Sequence, residues 1–409
     1  MKTWRVPYPK FGDGPGLARV AAVAERLGVS LSGFGTQGVV IVGSNGKGST
    51  AAMCAALLRQ AARPVGLFTS PHLFSLSERF NIDGEDISDE ELDLHWTRVI
   101  TAIDSEGLST TIGGFEFLFL VAADWFATRG CVHTVWEAGI GGRLDPVKLI
   151  EAQRVALTAL DVEHTELLGE TLEEIARDKS EATPRGGTLF IGEAVSAQRR
   201  SIEDHCIKLG VRTAFIENDG LGRLHAPLDG PHQIGNAALA LALSRDLVEL
   251  GDEAARAGFA ATRWQGRLEM IGNDPRTIID VGHTPDAIRV GLEGYHDMRG
   301  GLSGVLVCGA SRDKDAAAII SALAPSFPII ICAAAAHKGA PAAEIAAYAH
   351  AANPRAEILL AESVADARRL AMAKARATQA AVYVAGGLFL AAEYKAVDRG
   401  RDPAALDFF

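Results

Sequence analysis

Residues 43–50 read Gly43-Ser44-Asn45-Gly46-Lys47-Gly48-Ser49-Thr50. Glycines at 43, 46 and 48 allow positive φ angles and let the backbone lie close against an anion. Lys47 supplies a mobile charge for the outer phosphates, and the Ser49 and Thr50 hydroxyls can reach phosphate or a magnesium ion. An apolar run, residues 39–42, precedes the loop and an alanine-rich run, residues 51–58, follows it. Strand, glycine loop and helix thus stand in the order a phosphate cradle needs, the helix start adding free N–H groups and a positive dipole end. The predicted ligand is a nucleoside triphosphate.

A second group of residues could complete that site. Glu137 closes the apolar run 134–136 and is followed by Gly139, Gly141, Gly142, Arg143 and Asp145. Magnesium prefers hard oxygen ligands and needs only one or two carboxylates beside phosphates, which suits Glu137. Thr69-Ser70-Pro71-His72 follows the run 65–68, so Ser70 can offer a hydroxyl or carbonyl to the same ion, while Glu78-Arg79 reads as a solvated pair or a substrate contact. His164, after another strand, is by itself a structural hydrogen-bonder or a cleft residue. Lys179 on the next helix can face the same cleft, as a cation or as a metal-binding carbamate. Farther on, Asp280 and His283 close one strand, and residues 309–315 and 386–389 form further strand-to-helix glycine turns.

The elements that must position these groups alternate. Strand runs at residues 39–42, 65–68, 134–136, 155–158 and 189–191 are separated by helical periodicity at 51–58, 89–103, 115–128 and 171–179. Another helix is expected over 237–250. Strands at 277–281, 305–308, 329–332 and 382–385 then form a fresh series with alanine-rich helices at 316–323 and 342–351. This is an α/β chain with mostly parallel sheets, and ligands are expected at the strands' carboxyl ends. The expected division is a nucleotide-binding unit over 1–263, a linker over 264–276 and a smaller doubly wound unit over 277–409.

Length and composition agree. A chain of 409 residues exceeds one compact core, and 48% hydrophobic with 22% charged residues is ordinary for a globular protein. The net charge of -11 argues against nucleic acid and anionic membrane as partners. The five cysteines, Cys54, Cys131, Cys206, Cys308 and Cys332, form no CxxC pair, which points to reduced thiols in a cytoplasm. Residues 1–5, Met-Lys-Thr-Trp-Arg, lack the apolar core and cleavage site of a signal peptide. A monomer is expected.

The ordered motifs GSNGKGST, TSPHL, EAGIGGRLD, EHTELLG, GPHQIGNAALA, WQGRLE, DVGHTP and GASRDKD resemble the folylpolyglutamate synthase/dihydrofolate synthase family of Mur-type ATP-dependent amide ligases. The resemblance runs from about Leu17 to Glu393. It implies a P-loop ATPase domain joined to a smaller Rossmann-like domain, with the active site between them. It also implies ATP and Mg2+ as cofactors and a pteroate- or folate-type carboxylate and L-glutamate as substrates. On this resemblance the amides of residues 43–50 with Lys47 and Ser49 hold phosphates. Ser70 and Glu137 take the places of ligands of one magnesium, with Ser49 beside them, and His164 that of a second. Lys179 stands where the family carries a carbamylated lysine, Asn236 and Arg267 where it contacts nucleotide, and Asp280 and His283 where the second domain meets ATP and glutamate.

Departures cluster away from the phosphate loop. Pro146-Val147-Lys148 replaces the usual Ala-Thr-Asn after GGRLD, and Lys179-Ser180-Glu181-Ala182 replaces Lys-Ala-Gly-Ile. Gly282 and Thr284 replace the Ala and Asn of Ala-His-Asn-Pro, and Gly386-Gly387-Leu388 stands for the late Gly-Ser turn. Two other readings therefore stay open. One is ligation of glutamate or another amine to a non-folate carboxylate. The other is a nucleotide-sensing module without turnover.

Overall fold

The computed structural model describes residues 4–406 and 408. Met1, Lys2 and Thr3, within the 1–5 stretch that lacks signal-peptide features, lie outside the described residues. Among the described residues no helix is long and apolar enough to cross a membrane.

The first sheet contains β1 (Gly38–Val42), β2 (Val65–Phe68), β3 (Phe80–Ile82), β4 (Glu85–Asp86), β5 (His133–Glu137), β6 (Arg154–Leu157), β7 (Thr188–Gly192) and β8 (Arg212–Ile216). Their order is β4-β3-β2-β5-β1-β6-β7-β8, parallel except where β3 joins β2 and β4. β1 is buried along its whole length, between β5 and β6. Chain direction around the sheet reverses at this position, so the loop leaving β1 opens into the crevice where such sheets bind ligands. Register then places Glu137 opposite Ile41, one residue before the glycine loop's approach.

The second sheet contains β9 (Glu269–Asn273), β10 (Arg276–Ile279), β11 (Gly304–Cys308), β12 (Ile329–Cys332), β13 (Glu357–Leu360) and β14 (Ala381–Ala385). Its order is β13-β12-β11-β14-β10-β9, with only β9 antiparallel. The expected α/β architecture of two units, each built on a mostly parallel sheet, is therefore present. The strands without an expectation are β3, β4, β8, β9 and β13. Four of them, β4, β8, β9 and β13, are the sheet edges. An edge strand is covered on fewer sides, so it carries no continuous apolar run: β8 is Arg-Thr-Ala-Phe-Ile and β9 is Glu-Met-Ile-Gly-Asn. In consequence residues 264–276, expected as a linker, contain β9 and contribute an edge to the second sheet.

Helix Lys47–Leu58 is buried from Gly48 to Leu58 because it lies under the sheet and against helices His232–Leu247 and Asp252–Ala261. Its small residues permit that close approach; at Gly258 a Cβ would stand 2.9 Å from the Leu57 Cα. Helix Asp89–Ser105, by contrast, buries one face, Leu92, His95, Trp96, Val99, Ala102 and Ile103, and is capped by Ser88, whose hydroxyl accepts from the Glu91 N–H at 3.2 Å. The helix expected at 237–250 is His232–Leu247, which brings Gln233 and Asn236 into its first turns.

Candidate active site

The glycine loop is shaped as its sequence requires. Gly43 has φ 149° and Gly46 φ 85°, conformations that side chains resist. A Cβ at Gly43 would lie 2.0 Å from the Thr158 hydroxyl oxygen, and one at Gly46 2.6 Å from the Asn236 amide oxygen. Lys47 curls over the loop, its Nζ donating to the Gly43 and Ser44 carbonyls at 2.8 and 3.2 Å. Thr158 fastens the loop from β6's exit by donating to the Asn45 carbonyl at 2.6 Å.

Ser49 and Thr50 diverge. The Ser49 hydroxyl accepts from Gln233 Nε2 at 3.3 Å, and Gln233 Oε1 accepts from Asn236 Nδ2 at 2.9 Å. This chain ties Asn236 to the phosphate loop through Gln233, a residue inside the GPHQIGNAALA motif that had not been singled out. The Thr50 hydroxyl donates to the Gly46 carbonyl at 3.0 Å and Thr50 is fully buried, so its side chain fastens the loop to the helix start.

Glu137 lies buried at the end of β5, its Oε2 accepting the Ser70 N–H at 2.9 Å. Burial raises its pKa, opposed by Lys47, the Ser70 N–H, Arg267 and Arg79. Those four opposing groups place Lys47, Ser70 and Arg267 around one carboxylate. Beyond it the EAGIGGRLD turn is held by acids: Asp145 accepts the Gly139, Ile140 and Val147 N–H groups at 2.9, 3.1 and 3.0 Å. Burial nonetheless raises Asp145 to about 6. Asp178 accepts from the Gly142 N–H at 2.9 Å and Arg143 Nε at 3.2 Å, and a Cβ at Gly142 would meet the Lys179 carbonyl at 2.5 Å.

Lys179 is 1% exposed. Its Nζ donates to the Gly43 carbonyl at 3.1 Å and pairs with Glu163 at 3.2 Å, so the helix after β6 grips the phosphate loop directly. Burial, then the nearby Lys47 charge, lowers it to about 8. Glu163 itself was not anticipated; only its place before His164 marked it. His164 is a partly exposed residue with backbone φ 48°. Burial is the first cause lowering its pKa, with Lys314, Lys179 and Lys10 adding repulsion. Among the described residues no three His, Cys, Asp or Glu side chains form a metal-holding group. Oxygen ligands from Ser49, Ser70 and Glu137 beside bound phosphates fit magnesium without one.

Glu78 and Arg79 are not a solvated pair, and Glu78 also lines the cavity described below. Glu78 accepts the Leu73, Phe74 and Ser75 N–H groups at 2.8, 2.9 and 2.9 Å. Arg79 is buried, donates to His72 Nδ1 at 2.9 Å, and is lowered by burial to about 10.

The second sheet meets this site across a cleft. Trp264 lies against Gly48, where a Cβ would fall 2.6 Å from the ring, so the phosphate helix needs its glycine there. A cavity of 290 Å³ runs beside it, lined in part by Ser70, His72, Glu137, Trp264, Arg267 and Arg59. Asp280 does not project into the cleft as expected. Its Oδ2 accepts the Leu268 N–H at 3.0 Å and its Oδ1 the Gly282 N–H at 2.8 Å, bracing the segment that carries Arg267 and the turn that carries His283. His283 is lowered to about 4, first by burial and then by Lys314. The late glycine turns converge beside it: Gly386 would drive a Cβ to 1.9 Å from the Gly309 carbonyl, and Gly387 faces His283 and Ser311, both 4.0 Å from its Cβ position. Thr284 caps helix Pro285–Met298, its hydroxyl accepting the Ala287 N–H at 3.3 Å, so the residue that replaces Asn has a structural task.

Comparison with known proteins supplies the context for this cleft. Residues 266–388 match the family described as Mur ligase, glutamate ligase domain. The chain is 31% identical over 409 aligned residues to a probable bifunctional folylpolyglutamate synthase/dihydropteroate synthase of Halobacterium salinarum, covering 94% of this chain and 49% of that relative. The chain thus spans about half the length of the first curated relatives it matches. It is 30% identical to the dihydrofolate synthase/folylpolyglutamate synthase of Bacillus subtilis over 70% of this chain and 73% of that protein. Among solved structures, a Mycobacterium tuberculosis folylpolyglutamate synthase complexed with ADP and AMPPCP superposes with a TM-score of 0.86 at 27% identity, over 95% of this chain and 96% of that one. A bifunctional folylpolyglutamate synthase/dihydrofolate synthase with Mn, AMPPNP and L-glutamate bound gives 0.83 at 28% identity, over 97% and 100%.

Proposed function

Because the chain belongs to the folylpolyglutamate synthase/dihydrofolate synthase family, we propose that it is an ATP- and magnesium-dependent ligase that joins L-glutamate to a dihydropteroate or folate carboxylate. The observation that carries this reading is the closing of one crevice by both sheets. Lys47, Glu137 and Ser70 come from the first, and Arg267, His283 and Lys314 face them from the second.

In this reading a substrate carboxylate oxygen attacks the γ-phosphorus of ATP, the bond to the β-γ bridging oxygen breaks, and ADP leaves. The glutamate amine then attacks the acyl carbon, phosphate departs with the former carboxylate oxygen, and the nitrogen gives up a proton. Lys47, Ser49 and the amides of residues 43–50 hold the phosphates, and Asn236 and Arg267 contact the nucleotide. Magnesium, held by Ser49, Ser70 and Glu137, would neutralise phosphate charge, and His164 is the proposed ligand of a second ion. His283 and Lys179 complete the charged walls. Such transfers depend on positioning and charge stabilisation more than on covalent help from the protein. Exclusion of water by the two walls protects the acyl phosphate.

The division of labour we infer places nucleotide binding in residues 1–263 and the amine-accepting step with residues 277–409. Both walls come from one chain, which supports a monomer, and the five cysteines, all free of disulfides, support a cytoplasmic setting. The test is mass spectrometry of products after incubation with ATP, magnesium, L-glutamate and dihydropteroate or folate. The expected result is a glutamylated product with equimolar ADP. ADP release only with other carboxylates would assign a non-folate ligase, and ATP binding without turnover across carboxylates and amines would assign a sensor.

A further inference from the structure

The crossing between the sheets is a strained turn. Gly266 has φ 71° and Leu268 φ 46°, the latter a left-handed conformation that a leucine side chain resists. Such a conformation persists only where surrounding contacts over-determine it. Three contacts do so here. The Leu268 N–H is held by Asp280 at 3.0 Å, the Gly266 N–H by Glu269 Oε2 at 2.8 Å, and Glu269 by a lysine far along the chain.

That lysine is Lys395, on helix Leu388–Asp398, and it is 1% exposed. Its Nζ donates to Glu269 Oε1 and Oε2 at 2.5 and 2.6 Å and to Gln265 Oε1 at 2.7 Å, so all its polar contacts fall on the crossing. The same ammonium lies 5.3 Å from the centre of the Phe74 ring, and Arg399 lies 5.4 Å from it. Phe74 belongs to the first sheet's 70–79 loop, whose Ser70 N–H meets Glu137. Leu73 of that loop packs in a core cluster with Val281 and Leu390 of the second unit. A buried lysine serving no reacting atom is costly unless its partners need it.

We propose that Lys395 is a positioning residue for the ligation, fixing the crossing so that Trp264 and Arg267 meet the phosphate loop, and steadying the 70–79 loop through Phe74. It acts on reacting groups through these segments and touches no substrate. The inference rests on the ligase reading for its catalytic consequence and on geometry alone for its structural one.

Hydrogen exchange and kinetics of Lys395→Met and Lys395→Arg test it in the full chain. In Lys395→Met, amides of residues 264–269 and 70–79 should exchange about tenfold faster while those of 43–50 keep their protection. Turnover should fall about tenfold or more, since misplacement of about 1 Å suffices for that, and ADP affinity should weaken by a smaller factor, because Arg267 loosens while residues 43–50 still hold the phosphates. Lys395→Arg should restore most of both, because Arg keeps the charge. A double variant, Lys395→Met with Glu269→Gln, removes the stranded carboxylate and should recover thermal stability without recovering turnover or local protection. Unchanged exchange in Lys395→Met would overturn the proposal, as would recovery of turnover and protection in the double variant. If the unsubstituted protein performs no ligation, the proposed function fails, and the exchange data still decide the role of Lys395.

Discussion

The carboxyl edges of the two sheets both spend acids on backbone amides, Asp145 and Glu78 on the first and Asp280 on the second, but they differ in what else they present to the cleft. Around the phosphate loop polar side chains ring a space: Glu137, the pair Lys47 and Ser49, and Lys179 come from three elements and converge on one crevice. At the second sheet the most conspicuous acid, Asp280, is spent on two backbone amides, and Gly386 exists to let one turn pass another. What reaches the cleft from that side, Arg267, His283 and Lys314, is carried there by the braced backbone. Substitutions of the first-edge groups that ring the crevice should therefore cost turnover, and those of a bracing group such as Asp280 chiefly stability.

The largest effect expected is at Lys47. Lys47→Ala removes a side-chain cation that belongs to the loop itself and donates to its Gly43 and Ser44 carbonyls, and steady-state ADP release should drop about a thousandfold or more. The fold should survive, with a thermal unfolding change of about 1 kcal/mol or less. Glu137→Gln comes next and separates the two quantities by sign. Burial raises the Glu137 carboxyl, so a neutral isostere relieves desolvation and should stabilise the protein by about 1 kcal/mol near neutral pH. Turnover should nevertheless fall about a hundredfold. Loss of both stability and turnover would break the contrast between the two edges.

The phosphate loop was legible because strand, glycines, lysine and helix are contiguous, and the Glu137 turn because three glycines after a buried strand have few other uses. Thr50, Glu78 and Asp280 show the limit of such reading. Residue type states what a side chain can bind, whereas its partner is set by backbone amides that have no letter in the sequence. Gln233 and Glu163 were missed for the complementary reason, since each is defined by a neighbour distant in sequence, Ser49 or Lys179. Edge strands such as β9 escaped because half-covered strands need no apolar run, and that omission hid the strained turn at Leu268. The family resemblance identified the likeness of the cleft, but not which of its polar residues brace it.

A smaller and pH-dependent effect is expected at Lys179. Facing it are Lys47, Glu163 and Asp178, and with burial they leave its pKa at about 8. The unfolded chain binds this proton more tightly, so Lys179 lowers stability below about pH 8 and the cost fades as pH rises from there toward the ordinary lysine value. The charged amine grips Gly43 and Glu163, so kcat/KM should decline as pH rises through about 8, and Lys179→Met should remove that limb. A rate that instead rises through this range and depends on added bicarbonate would identify a carbamate at Lys179.

The smallest effect on turnover is expected at Asp280, where the resemblance alone would forecast a large one. In Asp280→Asn one carboxylate oxygen becomes an N–H2 group, which cannot accept from Leu268 or Gly282, so one buried amide is left facing a donor. An unmatched buried amide costs about 1–3 kcal/mol, and thermal unfolding should report that loss. Arg267 and His283 remain on their segments, so kcat should change by less than about fivefold, or about 1 kcal/mol in barrier. Asp280→Ala, which abandons both amides and frees the left-handed Leu268, should cost more stability than Asp280→Asn, and its kcat should fall in step with the loosening of residues 264–269. A hundredfold loss of kcat in Asp280→Asn with unchanged stability would place this carboxylate among the reacting groups and erase the distinction between the two edges.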